Sequence, residues 1–369
     1  MAEKSLLLIP DITGFTEFVQ HTELEHSQHI ISELLELLID ANEIGLTVSE
    51  IEGDAVLFFK QGSLPTWEQL VKQAEGMFVK FHAHLRRYET QRICQCGACS
   101  TASKLSLKVV AHAGEIGFLK VKEFEKPHGE DVIIVHRLLK NSVPIHEYVL
   151  LSESYFSDLG EPESITGFDW VNIESGASDY EKEGTLNYRY FSLQPLRAKV
   201  PEPDAIPLAE RTANPIVVEG YIERPPDEVF EIASNFAHRL KFNKGIDDLQ
   251  YEKGRVNRAG SKHRCLIGSR RVNFETVKGD FGSGKLVYGE RTDNPPIVST
   301  LWSFTVLELE GAGTHVRLEI HYHAEGIFQK LLTPIFRLAI NRAVSRLFKN
   351  LKELCEGGYL AGQEPTTGS

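Results

Sequence analysis

The protein is a chain of 369 residues, 41% hydrophobic and 25% charged. This composition permits a buried core and excludes wholesale disorder, and the length leaves room for two domains at roughly 100–200 residues each. With 40 basic against 52 acidic residues the formal charge is −12, which disfavours non-specific binding to nucleic acid or anionic membrane, because both need a positive face.

From the N-terminus onward, residues 5–9 form an apolar run that reads as a strand. Ile30, Leu34, Leu37, Leu38 and Ala41 recur at a spacing of three and four and predict a helix. Residues 46–51 and 55–59 read as the two strands of a hairpin around Gly53-Asp54. Trp67, Leu70, Ala74, Met77, Phe81, Leu85 and Tyr88 mark a second, long helix. A strand at 105–111, a helix at 131–140 and a strand at 148–151 follow. The order β-α-β-β-α-β is the ferredoxin-like arrangement of an α+β fold, with helices expected on one face of an antiparallel sheet.

Residues 198–215 hold four prolines and no aromatic residue. They read as a semi-extended linker between a domain at 1–197 and a domain at 216–357, with a polar tail at 358–369. In the second domain, 216–222 is a strand and Pro225-Pro226-Asp227-Glu228 opens a helix, with proline and acids suited to a first turn. Strands are expected near 249–252, 261–267, 271–277, 285–291, 299–308 and 314–324, and a long helix from about 326 to 355. This pattern predicts a curved sheet gripping a closing helix. Gly279 to Lys285 matches the start of a phosphate-loop pattern, but Leu286 replaces the required Ser or Thr, and a hairpin turn is expected instead. His321 and His323 alternate on one strand without an evident third metal ligand.

No apolar run approaches the roughly 20 residues of a membrane span, so no integral membrane segment is expected. The first apolar stretch is too short for a signal peptide. An odd cysteine count of five in a chain without an export signal suggests a reducing compartment, and the expected location is the cytoplasm.

Two features carry chemistry. Asp11 ends the first strand and Asp54 sits in the hairpin turn. In a β-α-β-β sheet the first strand lies beside the hairpin, so the two carboxylates converge. Such a pair repels itself unless a cation lies between them, and Mg²⁺ takes a small number of carboxylates together with substrate phosphates. Asp is also common in turns for its own sake, and spacing alone leaves both readings open. The second feature is Cys94-Gln95-Cys96-Gly97-Ala98-Cys99, which gathers three thiols in one small loop. A structural Zn²⁺ needs a fourth ligand, from His82, His84, His112, His128 or a second subunit. A redox pair, or three unpaired surface thiols, are the alternatives.

The stretches DITGFT from Asp11, GDAVLFF from Gly53, VVAHAGEIG from Val109 and GEDVIIVHRLL from Gly129 resemble, in order and spacing, the class III nucleotidyl cyclase catalytic domain. The resemblance covers about residues 5–195 and is narrower still to a divergent bacterial subfamily of unknown function. It implies a nucleoside triphosphate with Mg²⁺ or Mn²⁺ at Asp11 and Asp54, the Ile12 carbonyl as a further ligand, and a head-to-tail homodimer with sites at its interface. It also implies Glu50 as a guanylate-type base-selecting residue and Arg137 as the transition-state arginine. Lys126 falls near the other base-selecting position, where Asp or Cys is expected, and Lys182 is a loose candidate for the phosphate lysine. The asparagine expected four residues after Gly129 is Ile133, which cannot hydrogen-bond. Losing such a donor typically costs ~10²–10³ in rate. Metal–nucleotide binding is therefore expected and turnover is left open.

Residues 216–357 resemble, by pattern more than by motif, the START-like polyketide-cyclase/dehydrase (SRPBCC) superfamily. That resemblance implies an apolar cavity between sheet and closing helix. Phe230, Phe242, Phe274, Phe281, Trp302, Phe304, Phe328 and Phe336 either line it or fill a core. The closing helix carries Lys330, Arg337, Arg342, Arg346, Lys349 and Lys352 against Glu353 and Glu356. A basic amphipathic helix can touch membranes. The expectation here is that its apolar face packs on the sheet and its charges face water or the acidic first half. The function expected is a ligand-regulated nucleotide-binding signalling protein, a nucleotidyl cyclase (a phosphorus–oxygen lyase) if active, with an apolar small molecule or lipid in the second domain. The alternatives are an inactive cyclase-like sensor or dimerisation module, and a hydrophobic-ligand carrier.

Overall fold

The structure, a computed structural model, describes residues 3–159, 168–206, 208–293 and 295–357; the expected polar tail at 358–369 lies outside the described residues. The chain divides into two compact units, one of Met1–Arg87 with Thr101–Pro203, the other of Tyr88–Ser100 with Asp204–Ser369.

In the first half, β1 (Glu3–Thr13) is followed by α1 (Phe15–Gln20), α2 (Leu24–Asp40), β2 (Thr47–Glu52), β3 (Ala55–Gln61), α3 (Trp67–Thr90) and α4 (Gly97–Thr101). Then come β4 (Ser106–Val121), β5 (Phe124–His128), α5 (Glu130–Leu138), β6 (Tyr148–Ser152), α6 (Glu153–Leu159), β7 (Glu174–Tyr180) and β8 (Gly184–Ser192). The sheet order is β2-β3-β1-β4-β6-β8-β7, with β5 paired to β4. Strand β1 lies antiparallel between β3 and β4, and β2 pairs antiparallel with β3. The β-α-β-β-α-β order is thus realised.

The structure corrects the expectation of one covered face. Leu6, Leu7, Leu8 and Ile9 are all fully buried. Successive strand residues point to opposite faces, so both faces of β1 are covered. Leu7 and Ile9 pack with Val110, Leu150 and the α5 residues Val135 and Leu138, while Leu6 and Leu8 face the opposite layer. Each such buried aliphatic side chain contributes about 1.5–3 kcal/mol of transfer free energy. The continuous apolar run of β1 is therefore that of a central strand rather than a half-solvated one.

In the second unit, β9 (Ile216–Ile222) leads through α7 (Pro226–Ser234) and α8 (Arg239–Phe242) to six further strands. These are β10 (Asp248–Tyr251), β11 (Lys262–Ile267), β12 (Arg270–Val277), β13 (Leu286–Thr292), β14 (Thr300–Glu310) and β15 (Gly313–His323), and α9 (Ile327–Glu356) closes the unit. The sheet runs β10-β11-β12-β13-β14-β15-β9, antiparallel at every pairing. The Gly279–Lys285 segment lies between β12 and β13, as the hairpin connection expected. Helix α9 grips β9 at close range: a Cβ on Gly220 would come within 2.3 Å of the Phe348 ring. Residues 208–212 lie along the same sheet. Leu208 bridges Lys278, the Ala209 N–H donates to the Lys278 carbonyl at 2.8 Å, and Arg211 pairs with the buried Glu319 at 3.0 Å. His321 shares Glu319 and accepts from the Thr212 N–H at 2.9 Å, so its ring is committed to hydrogen bonds.

Of the aromatic side chains expected inside this unit, Phe230, Phe242, Trp302, Phe304 and Phe336 are buried, and Phe274 and Phe281 are half-buried. Phe328 is 72% exposed, a correction: the first turns of α9 overhang rather than pack on the sheet. A recess of about 720 Å³ opens on β10 to β13, with Tyr251 and Phe274 among mainly polar and charged neighbours such as Lys262, Arg264 and Glu275.

Candidate nucleotide and metal site

The β1–β3 register places Asp11 opposite Ala55, and Asp54 is the residue before it. The turn closes because Gly53 takes a φ of 68°, a left-handed value that glycine adopts without strain. The Ile12 N–H donates to the Asp54 carbonyl at 3.0 Å. Asp11 and Asp54 are thus brought together. Burial raises the Asp54 pKa, and the charge of Asp11 raises it further. Burial raises the Asp11 pKa as well, against the opposing pull of Lys108. The Ile12 side chain is fully buried and has no donor atom, so its backbone carbonyl is the group it has to offer an ion.

Lys108 is a residue that sequence reasoning missed. It stands opposite Asp11 in the β1–β4 register, its Nζ lies 3.3 Å from Asp11 Oδ1, and it also donates to the Leu139 carbonyl at 3.4 Å. The available signal was a single cation inside the largely apolar strand of residues 105–111. Two converging carboxylates are the hard oxygen donors that Mg²⁺ and Mn²⁺ take. Lys108 supplies part of the compensating positive charge from the protein itself.

The base-selecting candidates also meet. The β2–β3 register shifts between Val48 and Glu50, and such a bulge re-aims the side chain that follows it. Lys126, on β5, lies 3.7 Å from Glu50. Two residues further along the same strand, Glu52 accepts from His136 Nε2 at 2.9 Å, a second pair that sequence reasoning did not name.

Helix α5 carries Ile133 and Arg137 four residues apart, hence on one face. Ile133 is 51% exposed. Arg137 Nε donates to Glu183 at 3.3 Å, so its ion-pair partner among the described residues lies in the β7–β8 turn, beside Lys182. The structure does not join Arg137 to the aspartate pair within the chain. The start of α5 is fixed by Asp131, which bonds His112 Nε2 at 2.8 Å and accepts from the Glu115 N–H at 2.7 Å. Those bonds hold the Asp131 pKa below its ordinary value although burial opposes them.

In the cysteine loop the Cys96 N–H lies 3.4 Å from Cys94 Sγ and the Cys99 N–H 3.3 Å from Cys96 Sγ. The crowded neighbours Cys94 and Cys96, with burial, push the Cys99 thiol far up. Cys94, Cys96 and Cys99 have their sulfur atoms within 4.8 Å of one another and offer three thiolate donors to a metal ion. Three of the four histidines considered from the sequence are engaged elsewhere: His82 with Glu147 at 3.1 Å, His84 with Glu33 at 2.7 Å, and His112 with Asp131 and Ser152 at 2.8 Å each.

Residues 31–148 match a family described as protein of unknown function (DUF2652). Residues 216–356 match the family described as polyketide cyclase / dehydrase and lipid transport. An uncharacterized protein of Mycobacterium tuberculosis is 36% identical over 123 residues, 33% of this chain. The match spans 57% of that relative's length. Among solved structures, the guanylate cyclase domain of RhGC from Catenaria anguillulae in complex with GTP is similar at 15% identity, covering 52% of this chain and 96% of that one, with a TM-score of 0.38. An adenylyl cyclase from P. aeruginosa is similar at 16% identity, 52% and 94% coverage and a TM-score of 0.36. A Thermus thermophilus protein shows 21% identity, 40% and 100% coverage and a TM-score of 0.33. The chain combines an α+β first half with strands and helices in the β-α-β-β-α-β order and a second unit, matched by the polyketide cyclase model, in which an antiparallel sheet is closed by a long helix. Among the described residues, no helix is long and apolar enough to cross a membrane.

Proposed function

We propose that this is a cytoplasmic, ligand-regulated nucleotide-binding signalling protein. Its first unit binds a nucleoside triphosphate together with Mg²⁺ or Mn²⁺ at Asp11, Asp54 and the Ile12 carbonyl, and its second unit binds an apolar small molecule or lipid that regulates the first. The observation that carries this reading is the convergence of Asp11 and Asp54, with Asp54 feeling the charge of Asp11. A divalent cation there would shield the phosphates and polarise the reacting oxygen. Glu50, partnered by Lys126, would accept from the N–H edge of a guanine base. Arg137 and Lys182 would contact the phosphates, Arg137 only after release from Glu183. In turnover the ribose 3′-oxygen would attack the α-phosphorus, pyrophosphate would leave, and the hydroxyl proton would pass to water.

The β4–β5 hairpin favours a homodimer. Leu119, Val121 and Phe124 lie on it with 45%, 58% and 72% exposure, an apolar patch of the kind that marks an interaction site. Phe124→Ser should shift the protein to monomer in light scattering. A dimer that persists unchanged would remove the hairpin from the interface.

A second reading, nucleotide binding without turnover, is favoured by Ile133 in place of a hydrogen-bonding side chain and by the Arg137–Glu183 pair. Incubating the full chain with each nucleoside triphosphate and Mn²⁺ separates the two. A cyclic product identifies a cyclase. Mn²⁺-dependent nucleotide binding that Asp54→Asn abolishes, with no product, identifies a sensor. The absence of both refutes the nucleotide reading.

The cysteine loop supports a structural zinc site at Cys94, Cys96 and Cys99 with one further donor. The purified protein should carry about one zinc per chain by elemental analysis, since structural sites are closed four-coordinate sets. Cys96→Ser should lose it; a zinc-free wild type would argue for thiols alone.

A further inference from the structure

Helix α9 presents two different surfaces along its length. In its second half Val344, Leu351 and Cys355 are buried and Phe348 crosses Gly220. Asn350 donates to the Phe242 carbonyl at 2.9 Å and Lys352 to the Tyr221 carbonyl at 2.8 Å. In the first half the buried residue is Phe336, whereas Ile327, Phe328, Leu331, Ile335 and Leu338 are 89%, 72%, 75%, 67% and 54% exposed. At 100° per residue these five fall within an arc of roughly 100°, so they form one face. Arg342, Arg346 and Lys349 are exposed and continue the same arc. From Ile327 to Lys352 there is no Asp or Glu, in a chain whose formal charge is −12.

Exposed apolar residues scattered singly are ordinary. A contiguous face with an aromatic anchor, followed by a row of cations, is not. A second copy of α9 does not complement it. Parallel apposition sets cation against cation, antiparallel apposition sets cations against apolar side chains, and the helix's own anions, Glu353 and Glu356, already pair within it with Lys349 at 3.7 Å and Lys352 at 3.5 Å. An anionic lipid surface supplies both requirements, an acyl boundary for the apolar arc and phosphates for Arg342, Arg346 and Lys349. We propose that α9 docks in the plane of an anionic membrane surface, its first three turns sunk to the headgroup boundary and its cationic stretch on the phosphates. The remainder of the chain carries the net negative charge, which the same surface repels.

The test is co-sedimentation of the full chain with phosphatidylcholine vesicles, with and without a quarter of phosphatidylglycerol. The expected result is binding at least about tenfold stronger to the anionic vesicles and weakened by salt, given about 1 kcal/mol per basic residue near such a surface. Phe328→Ser with Leu331→Ser, and separately Arg342→Gln with Arg346→Gln, should each lower binding about tenfold or more while the circular dichroism spectrum stays unchanged, because these side chains are exposed. Failure of the wild type to bind anionic vesicles, or full binding by both variants, overturns the proposal. A dimer that the Phe328/Leu331 variant breaks, without vesicle binding, assigns the face to a second copy instead.

Discussion

Asp54 has a raised pKa for two reasons, burial first and the charge of Asp11 second. A carboxyl whose folded pKa lies above its ordinary value of 3.8 contributes stability below that value and loses it as pH rises through the raised one. The cation-free site therefore weakens the fold near neutral pH. Asp54→Asn should raise the melting temperature of the chelated protein at pH 7 by a few degrees, at about 2–4 °C per kcal/mol for a unit of this size. It should also flatten the rise in stability on acidification and abolish the further rise that Mn²⁺ gives the wild type. A lower melting temperature for the variant in chelator would contradict the charge argument. Lys108→Met tests the same balance from the other side. Without the Nζ 3.3 Å from Asp11, the chelated protein should melt lower and the Mn²⁺-induced shift should grow. An unchanged Mn²⁺ shift would mean that Lys108 does not compensate the pair. Asp11 and Asp54 were legible because each follows a strand pattern that is clear in one sequence, although β1 runs on past Asp11 to Thr13 rather than ending there. Lys108 was not, because its significance depends on the β1–β4 register, which periodicity does not specify.

Among the elements, α5 depends on a missing Cβ. A methyl group on Gly114 would lie 2.1 Å from Asp131 Cγ, so Gly114→Ala must displace the carboxyl that ties α5 to β4. We expect a loss of about 1–3 kcal/mol, the usual range for forced overpacking, measured by urea unfolding. A neutral Gly114→Ala would show that Asp131 is not a fixed anchor. The strands β1, β2 and β3 and the helices α3 and α5 follow from hydropathy patterns, and so do the strands of the second unit in chain order. The β5, β7 and β8 strands do not stand out. ESGASDY of β7 has no apolar alternation because it lies at the sheet edge, and β5 projects with β4 as an exposed hairpin. In α9 the apolar residues were visible, but which of them the sheet covers is a packing property. The five that overhang are as apolar as those that are buried.

Over the whole molecule, two compact units predict two unfolding transitions rather than one. The second unit has a marker of its own. Arg239 Nη1 donates to Glu290 Oε2 at 3.0 Å, with His263 Nε2 3.1 Å from Glu290 Oε1, and all three side chains are buried. Burial opposes the charge on Glu290, but Arg239 and His263 hold its carboxyl well below the ordinary 4.5. Such a depressed group stabilises the fold above its ordinary pKa and loses that contribution as pH falls through the folded value. Glu290→Gln leaves Arg239 as an uncompensated buried cation and should destabilise the second unit by about 3–5 kcal/mol. Calorimetry should show one transition shifted and the Mn²⁺-responsive one unmoved. Displacement of both would contradict independent units. The regulatory coupling proposed for the intact chain starts from this separation, and its first unit must bind nucleotide for any coupling to have meaning. Titrating the full chain calorimetrically with GTP in Mn²⁺, for wild type, Asp11→Asn and Asp54→Asn, decides that point. The wild type should bind in a Mn²⁺-dependent manner and each variant at least about tenfold more weakly, the equivalent of about 1.4 kcal/mol. Mn²⁺-independent binding, no binding, or equal binding by the variants would contradict a metal–nucleotide site at the two aspartates.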